Sequence, residues 1–149
     1  MLDKNDLKWL SSYKTIDINK ANTLLVAKDS GLKIPSTFIT TSKDDIIQFR
    51  KIKRQLATKS IRSAVNVYNE HGAFTMFTDL VEDESLESLP SSFFPSFLQE
   101  YIEKEYELRI FYLNRKCYAM AIFSQKDDKT KIDFRNYNWN KPNRFIPYK

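Results

Sequence analysis

A lysine set inside a short apolar strand is the first residue whose type and place could do chemistry. Lys59 lies within Leu56-Ala57-Thr58-Lys59-Ser60-Ile61, where its ammonium must either snorkel to water or meet an anion. A lysine placed on an edge strand to block aggregation would give the same pattern. Two acid-x-arginine pairs follow. Glu107-Leu108-Arg109 comes after Leu98-Gln99-Glu100-Tyr101-Ile102, and Asp133-Phe134-Arg135-Asn136 repeats the theme, on the expectation of one strand later. Residues two apart on a strand project from one face, so each pair can act on one ligand. The acid would hold a ribose hydroxyl while the guanidinium grips a phosphate oxygen or a carboxylate. Plain structural ion pairs on a solvated face have the same spacing, and the spacing does not choose.

The rest of the composition removes other chemistries. One His, one Cys and two Gly in 149 residues exclude a zinc cluster, a disulfide framework and a phosphate loop of the GxxxxGK type. His71 beside Gly72 reads as a turn residue, and Cys117 at the head of an apolar strand reads as a small buried hydrophobe. A lone Cys suits a reducing cytoplasm. No apolar run approaches the roughly 18 to 20 residues of a membrane span, and the first residues lack a signal peptide's apolar stretch. With 42% hydrophobic and 14% aromatic residues, one soluble domain with a real core is expected.

Charge is distributed unevenly. Residues 1–72 carry 13 basic and 7 acidic groups, residues 73–104 carry 1 and 7, and residues 105–149 carry 10 and 5. The overall excess of five positive charges is compatible with a nucleic acid, with an anionic small ligand such as a nucleotide, or with a solvated basic surface. No single basic run interleaved with aromatics marks a dedicated nucleic-acid binder.

Positioning these residues requires a particular run of elements. Asp17 or Asn19 can cap an amphipathic helix through Ala21, Leu24, Leu25 and Ala27 that stops at Gly31. Pro35 then enforces extended geometry, Thr37 to Thr40 read as a strand, and Ser42 opens a second helix ending in the basic run Arg50 to Arg54. A strand through Lys59, a hairpin connection over 62–71, a strand from Ala73 to Thr78, and an acidic loop or short helix over 79–92 come next. Phe93 to Ile102, Leu108 to Leu113 and Cys117 to Ser124 are predicted as three consecutive strands, the last two joined by a tight turn at 114–116. Those strands should be the sturdiest part, with Phe93-Phe94 and Phe111-Tyr112 in the core. The order predicts an α+β fold with an antiparallel meander.

The stretches INKANTLLVAKDSGLKIPSTFITTSKDDIIQF, TKSI, FFPSFLQEYIEKEYELRIFYLNRKCYAMAIFSQ and IDFRNYNWNKPNRFIPYK together resemble the ATP-grasp peptide maturases of grasp-with-spasm systems. These are relatives of the graspetide (microviridin-type) ligases and of the ribosomal protein glutamate ligases. The resemblance implies a partial ATP-grasp domain over residues 16–149, with residues 1–15 as the end of a preceding domain or linker. It implies that Lys59 reaches ATP phosphates, that Gln99, Glu100, Tyr101 and Ile102 form a hinge strand holding adenine, and that Glu107 takes the ribose. Arg109 and Arg135 would act on the phosphate and acyl-phosphate side, with Asn136 approaching the nucleotide there. Lys20 is a looser match to a second family lysine. Lys59 and Glu107 should therefore face one cavity.

That family activates Asp or Glu side chains of a precursor peptide as acyl phosphates, using ATP and Mg2+, to make ester or amide crosslinks. The resemblance implies a precursor peptide as partner, a radical SPASM-type protein as a second one, and no membrane. The family's closing acid and Glu-x-Asn metal-ligand segment has no counterpart in the sequence, which leaves the expected metal without ligands here. A non-catalytic module binding ATP or a leader peptide, and a small basic nucleic-acid binder, are the alternative readings.

Overall fold

A computed structural model describes residues 18–63 and 66–148; the expectations for residues 1–15 and for Asp17 as a cap lie outside them. Helix α1 spans Lys20–Asp29, capped by Asn19, whose Oδ1 accepts from the Ala21 and Asn22 N–H groups at 3.0 and 3.3 Å. It ends where Gly31 takes a φ of 81°, a left-handed conformation that glycine adopts without steric cost. Only Lys20, Ala21, Leu24 and Ala27 are half-buried, and Leu25 and Val26 are exposed. The expected amphipathic helix thus presents a narrow stripe and not a full apolar face.

Strand β1 (Thr37–Ser42) leads into α2 (Lys43–Ile52). Ser42 makes no side-chain cap; its N–H instead donates to Thr40 Oγ1 at 3.0 Å, and that hydroxyl donates to Asp45 in the first turn. Asp44 and Asp45 at the start of α2, with Arg50 and Lys51 at its end, complement the helix dipole. Strand β2 (Leu56–Lys59) follows, then β3 (Asn66–Asn69), β4 (Gly72–Thr75), β5 (Asp79–Leu80), α3 (Asp83–Ser88) and β6 (Ser92–Glu100). The stretch expected as a bare connection therefore contains β3, paired with β4 in an exposed two-stranded hairpin whose turn holds His71. The acidic stretch supplies both β5 and α3.

A four-stranded antiparallel sheet has the order β1-β6-β2-β5. Register aligns Thr37 with Gln99 and Ala57, and Phe97 with Ile39 and Lys59. Pleating then sends Lys59, Phe97 and Gln99 to one face and Phe38, Leu56, Leu98 and Glu100 to the other. The second face carries the core: Leu56, Leu98, Ile46 of α2 and Leu86 of α3 are buried, with Phe38, Phe49 and Phe93 packed against them. Each fully buried leucine there contributes about 1.5 to 3 kcal/mol. Because β2 lies between β6 and β5, Lys59 is not the edge-strand residue that one reading of the sequence allowed.

The meander forms one strand later than expected. Strands β7 (Glu107–Leu113), β8 (Lys116–Phe123) and β9 (Arg144–Tyr148) make a separate three-stranded sheet, while β6 belongs to the first. Asn114 and Arg115, at φ 48° and 62°, form the two-residue turn between β7 and β8, whose positive φ values match the twist of a hairpin. No residue of β7 is buried. Phe111 and Tyr112 are exposed, Phe94 is 91% exposed, and Cys117 is exposed. These corrections to the expected core share one cause: nothing among the described residues covers the faces on which they project.

The segment between β8 and β9 has a polar centre. Thr130 and Ser124 are fully buried, Thr130 Oγ1 donates to Ser124 O at 2.9 Å and lies 3.0 Å from Asn143 Oδ1, and Asn138 Nδ2 donates to Asp127 Oδ2 at 2.8 Å. Asp133 to Asn136 lie on a turn in this segment, not on a strand.

Candidate functional site

A cleft of about 410 Å³ opens where the Lys59 face of the first sheet meets the start of β7 and the turn after Ile132. Lys59, Gln99, Glu100, Tyr101, Ile102, Glu107 and Arg135 all line it, together with Lys20, Lys104, Thr78 and Asp133. Lys59 and Glu107 thus face one cavity. Arg109 does not line it. A strand advances about 3.3 Å per residue, so two residues past Glu107 the side chain has left the cleft; its guanidinium stands 5.4 Å from the Phe111 ring. Asn136 lines an adjoining cavity of about 530 Å³ that shares Thr78, Ile132 and Asp133 with the cleft.

The floor is set by sheet register. Lys59 Nζ donates to Gln99 Oε1 at 2.8 Å and lies 5.5 Å from the Phe97 ring, and Gln99 Nε2 donates onward to Thr37 Oγ1 at 2.9 Å. Gln99 therefore links Lys59 to Thr37 across the sheet. Glu100 sits one residue on, so its carboxylate goes to the opposite face, 3.0 Å from Lys53 Nζ and 3.3 Å from the Ser36 N–H. The Lys53 hydrogen bond, aided by that N–H, holds it below the usual carboxylate range. Tyr101 N donates to Gln55 O at 2.9 Å, which leaves the backbone of Ile102 as the next polar edge of the cleft.

Two cations approach from α1 and the hinge. Lys20 N donates to Ile61 O at 3.0 Å and its Nζ donates to Arg62 O, which seats α1 beside the end of β2. Lys104 Nζ lies 3.0 Å from Glu107 Oε1 and 3.2 Å from Ile132 O, and Ser124 Oγ donates to the same Glu107 oxygen at 3.0 Å. Arg135 is paired with Asp133 through Nε at 2.9 Å and through Nη2. Burial alone would raise the Asp133 carboxyl, but the Arg135 bonds and the N–H groups of Thr78 and Arg135 outweigh it and bring it down to about 2.

Once these pairs are formed, Lys20 and Lys59 carry the cleft's uncompensated positive charge, since neither meets a carboxylate at ion-pairing distance among the described residues. Burial first, and then the nearby Lys20, Arg135 and Lys104 charges, push the Lys59 ammonium below its ordinary value; Asp133 partly offsets this. Burial and Arg135 lower Lys20 likewise. A desolvated, mutually repelling cation pair is satisfied by a polyanion.

Lys104 and Ser124 were not legible as site residues. Lys104 stands in a charged loop of the kind that usually reads as solvated, and Ser124 reaches Glu107 only because β8 pairs Ile122 with Glu107. Among the described residues no group of three or more His, Cys, Asp or Glu side chains could hold a metal ion. His71 is exposed and does not line the cleft. Among the described residues no helix is long and apolar enough to cross a membrane.

The fold can now be set beside known structures. A RiPP-associated ATP-grasp ligase of Chryseobacterium gregarium, in complex with ADP and a leader and core peptide, matches at 30% identity and TM-score 0.77 over 87% of this chain and 39% of that one. The fold of this chain matches part of the ATP-grasp fold. The macrocyclase MdnC of Microcystis aeruginosa MRC, bound with precursor peptide MdnA, matches at 30% identity and TM-score 0.69 over 87% of this chain and 40% of that one. This chain thus spans about two fifths of the length of either structure. No protein-family model and no curated protein matches its sequence.

Proposed function

We propose that the cleft binds the triphosphate and adenosine of ATP, and that the chain serves an ATP-dependent ligase acting on a precursor peptide. The observation that carries this is the pair of uncompensated cations, Lys20 and Lys59, in a cleft whose other wall presents Glu107, within a fold shared with a ligase that holds ADP. Lys59, steadied by Gln99, would meet phosphate oxygens. The backbone at Ile102 would meet the adenine edge while Tyr101 and Ile102 cover its faces, and Glu107 would accept from the ribose. Glu100 would contribute to adenine through its backbone, because its carboxylate is committed to Lys53 and Ser36.

In the proposed reaction a carboxylate of the peptide attacks the γ-phosphoryl group and ADP leaves, giving an acyl phosphate; a hydroxyl or an amine then attacks its acyl carbon, and inorganic phosphate and a proton leave as the ester or amide forms. Arg135 is the cleft's own candidate for steadying charge on the transferring group. Mg2+ belongs to phosphoryl transfer of this kind, but the described carboxylates do not fit a site for it: Asp133 is committed to Arg135 and Glu107 to Lys104. A precursor peptide and a radical SPASM-type protein are the proposed partners, in a cytoplasmic setting.

Calorimetric titration with ADP and ATP tests the reading. Micromolar to millimolar binding, weakened about 10- to 100-fold in Lys59→Ala and retained in Arg109→Ala, is the expected result; wild-type binding that Lys59→Ala leaves intact would refute it. Incubation with ATP, magnesium and a precursor peptide, followed by mass spectrometry for loss of water, tests the ligation separately.

A further inference from the structure

We propose that Asp133 is a positioning residue, which holds the Arg135 guanidinium side-on so that its outer edge, and not its Nε edge, meets the anion in the cleft. This rests on the nucleotide reading above. Asp133 is only 6% exposed and every bond to its carboxylate comes from two places. Its Oδ1 accepts from Arg135 Nε at 2.9 Å and from the Arg135 backbone N–H at 3.1 Å, and its Oδ2 accepts from Arg135 Nη2 and from the Thr78 N–H at 2.9 Å.

A guanidinium carries five N–H donors in a rigid planar fork. The carboxylate takes the Nε side, so the Nη1 pair and the second Nη2 hydrogen are left for a ligand. Arg135 lines the same cleft as Lys20 and Lys59, and its charge depresses both. The Thr78 bond reaches 55 residues back along the chain. One buried carboxylate therefore fixes both the arginine and the backbone that enters β5.

Positioning and simple charge make opposite forecasts. Removing a negative charge beside an anion site strengthens the local field, so a mere counter-ion replaced by asparagine would tighten nucleotide binding. A positioning residue replaced by asparagine frees a long side chain, and binding weakens despite the added positive charge.

The test uses the full 149-residue chain and ADP at fixed ionic strength. Asp133→Asn should weaken ADP binding by about tenfold, the scale of one charge-assisted hydrogen bond. Arg135→Lys should weaken it comparably, and the double variant should be no weaker than Arg135→Lys alone, because Asp133 acts through Arg135. In the ligand-free protein, NMR should show a slowly exchanging Arg135 Nε–H and a protected Thr78 amide, both lost in Asp133→Asn. Asp133→Glu, which keeps the charge and moves the carboxylate, covers the case in which the asparagine variant does not fold; it should also weaken ADP binding. Tighter or unchanged binding in either Asp133 variant, or losses that multiply in the double variant, would overturn the proposal. If the wild type binds no ADP, the nucleotide reading fails on its own, and fast exchange of both N–H groups in the ligand-free protein then decides against the positioning role.

Discussion

The two larger sheets of this molecule both contain apolar strands and yet treat them differently. In the first, β6 lies between β1 and β2, and α2 and α3 cover the face on which Leu98 projects, so Leu98 is 2% exposed; Phe97, on the opposite face, shares a cavity wall with Leu24 of α1 and is 1% exposed. In the second, β7 carries Leu108, Ile110, Phe111 and Tyr112 and buries none of them. Only Ala121 and Ile122 of β8 are buried among the apolar residues of that sheet. Side-chain type proposes burial, and the elements packed above a strand decide it.

The largest expected difference is in stability. Leu98→Ala or Leu56→Ala should cost about 2 to 5 kcal/mol in urea unfolding, because each leaves a cavity in a closed core. Ile110→Ala on β7 should cost no more than about 1 kcal/mol, and an equal loss at Ile110 would mean that β7 is covered in solution. Amide exchange gives the same contrast without mutation: β2 and β6 should be slowest, and the exposed β3–β4 hairpin fastest.

Nucleotide affinity should show a smaller but sharper split. Lys59→Ala is expected to weaken ADP binding about 10- to 100-fold, whereas Arg109→Ala, on the same sheet face as Glu107 but outside the cleft, should change it less than about twofold. A large effect at Arg109 would show that the cleft extends along β7 when occupied. Because Lys59 and Lys20 both give up their protons below the ordinary lysine value of 10.5, affinity should fall as pH climbs into the alkaline range, and Lys59→Ala should weaken that dependence while leaving the Lys20 part.

The smallest effect concerns acid. The Asp133 carboxyl is depressed from 3.8 to about 2 in the folded chain, so its contribution to stability is complete above the unfolded value and is lost as pH falls through the folded one. The stability advantage of the wild type over Asp133→Asn should therefore shrink in acid denaturation between those two values, and an advantage independent of pH there would contradict the assignment.

Much of the cleft was legible because its floor obeys local rules. Lys59 announced itself as a charge in an apolar strand, and Gln99 and Glu107 occupy strand positions whose facing follows from period-two alternation. Arg135 was legible as a residue but not in its setting: the Asp133 pair looked like two residues of a strand and is a turn, held by a polar-centred segment that Thr130, Asn138 and Asp127 organise. Hydrogen bonds between side chains distant in sequence leave no periodicity to read. Phe94, Phe111 and Cys117 misled for the complementary reason, since their hydrophobicity says nothing about whether a neighbour exists to cover them. The hidden strand β3 had too few apolar residues to stand out from a loop.

Gln99 and Glu100 are consecutive, and they serve opposite sides of one sheet: the first holds Lys59 in the cleft, and the second ties the edge of the core face to Lys53 at the end of α2. Alternation along β6 therefore acts as a reading frame. A single inserted or deleted residue between Phe93 and Gln99 would send Leu98 into the cleft and Gln99 into the core, exchanging solvent-facing chemistry and packing at a stroke. Point changes along β6 are repairable one at a time, whereas a change of length of one residue is not, and paired changes that restore the alternation are the only insertions this strand can absorb.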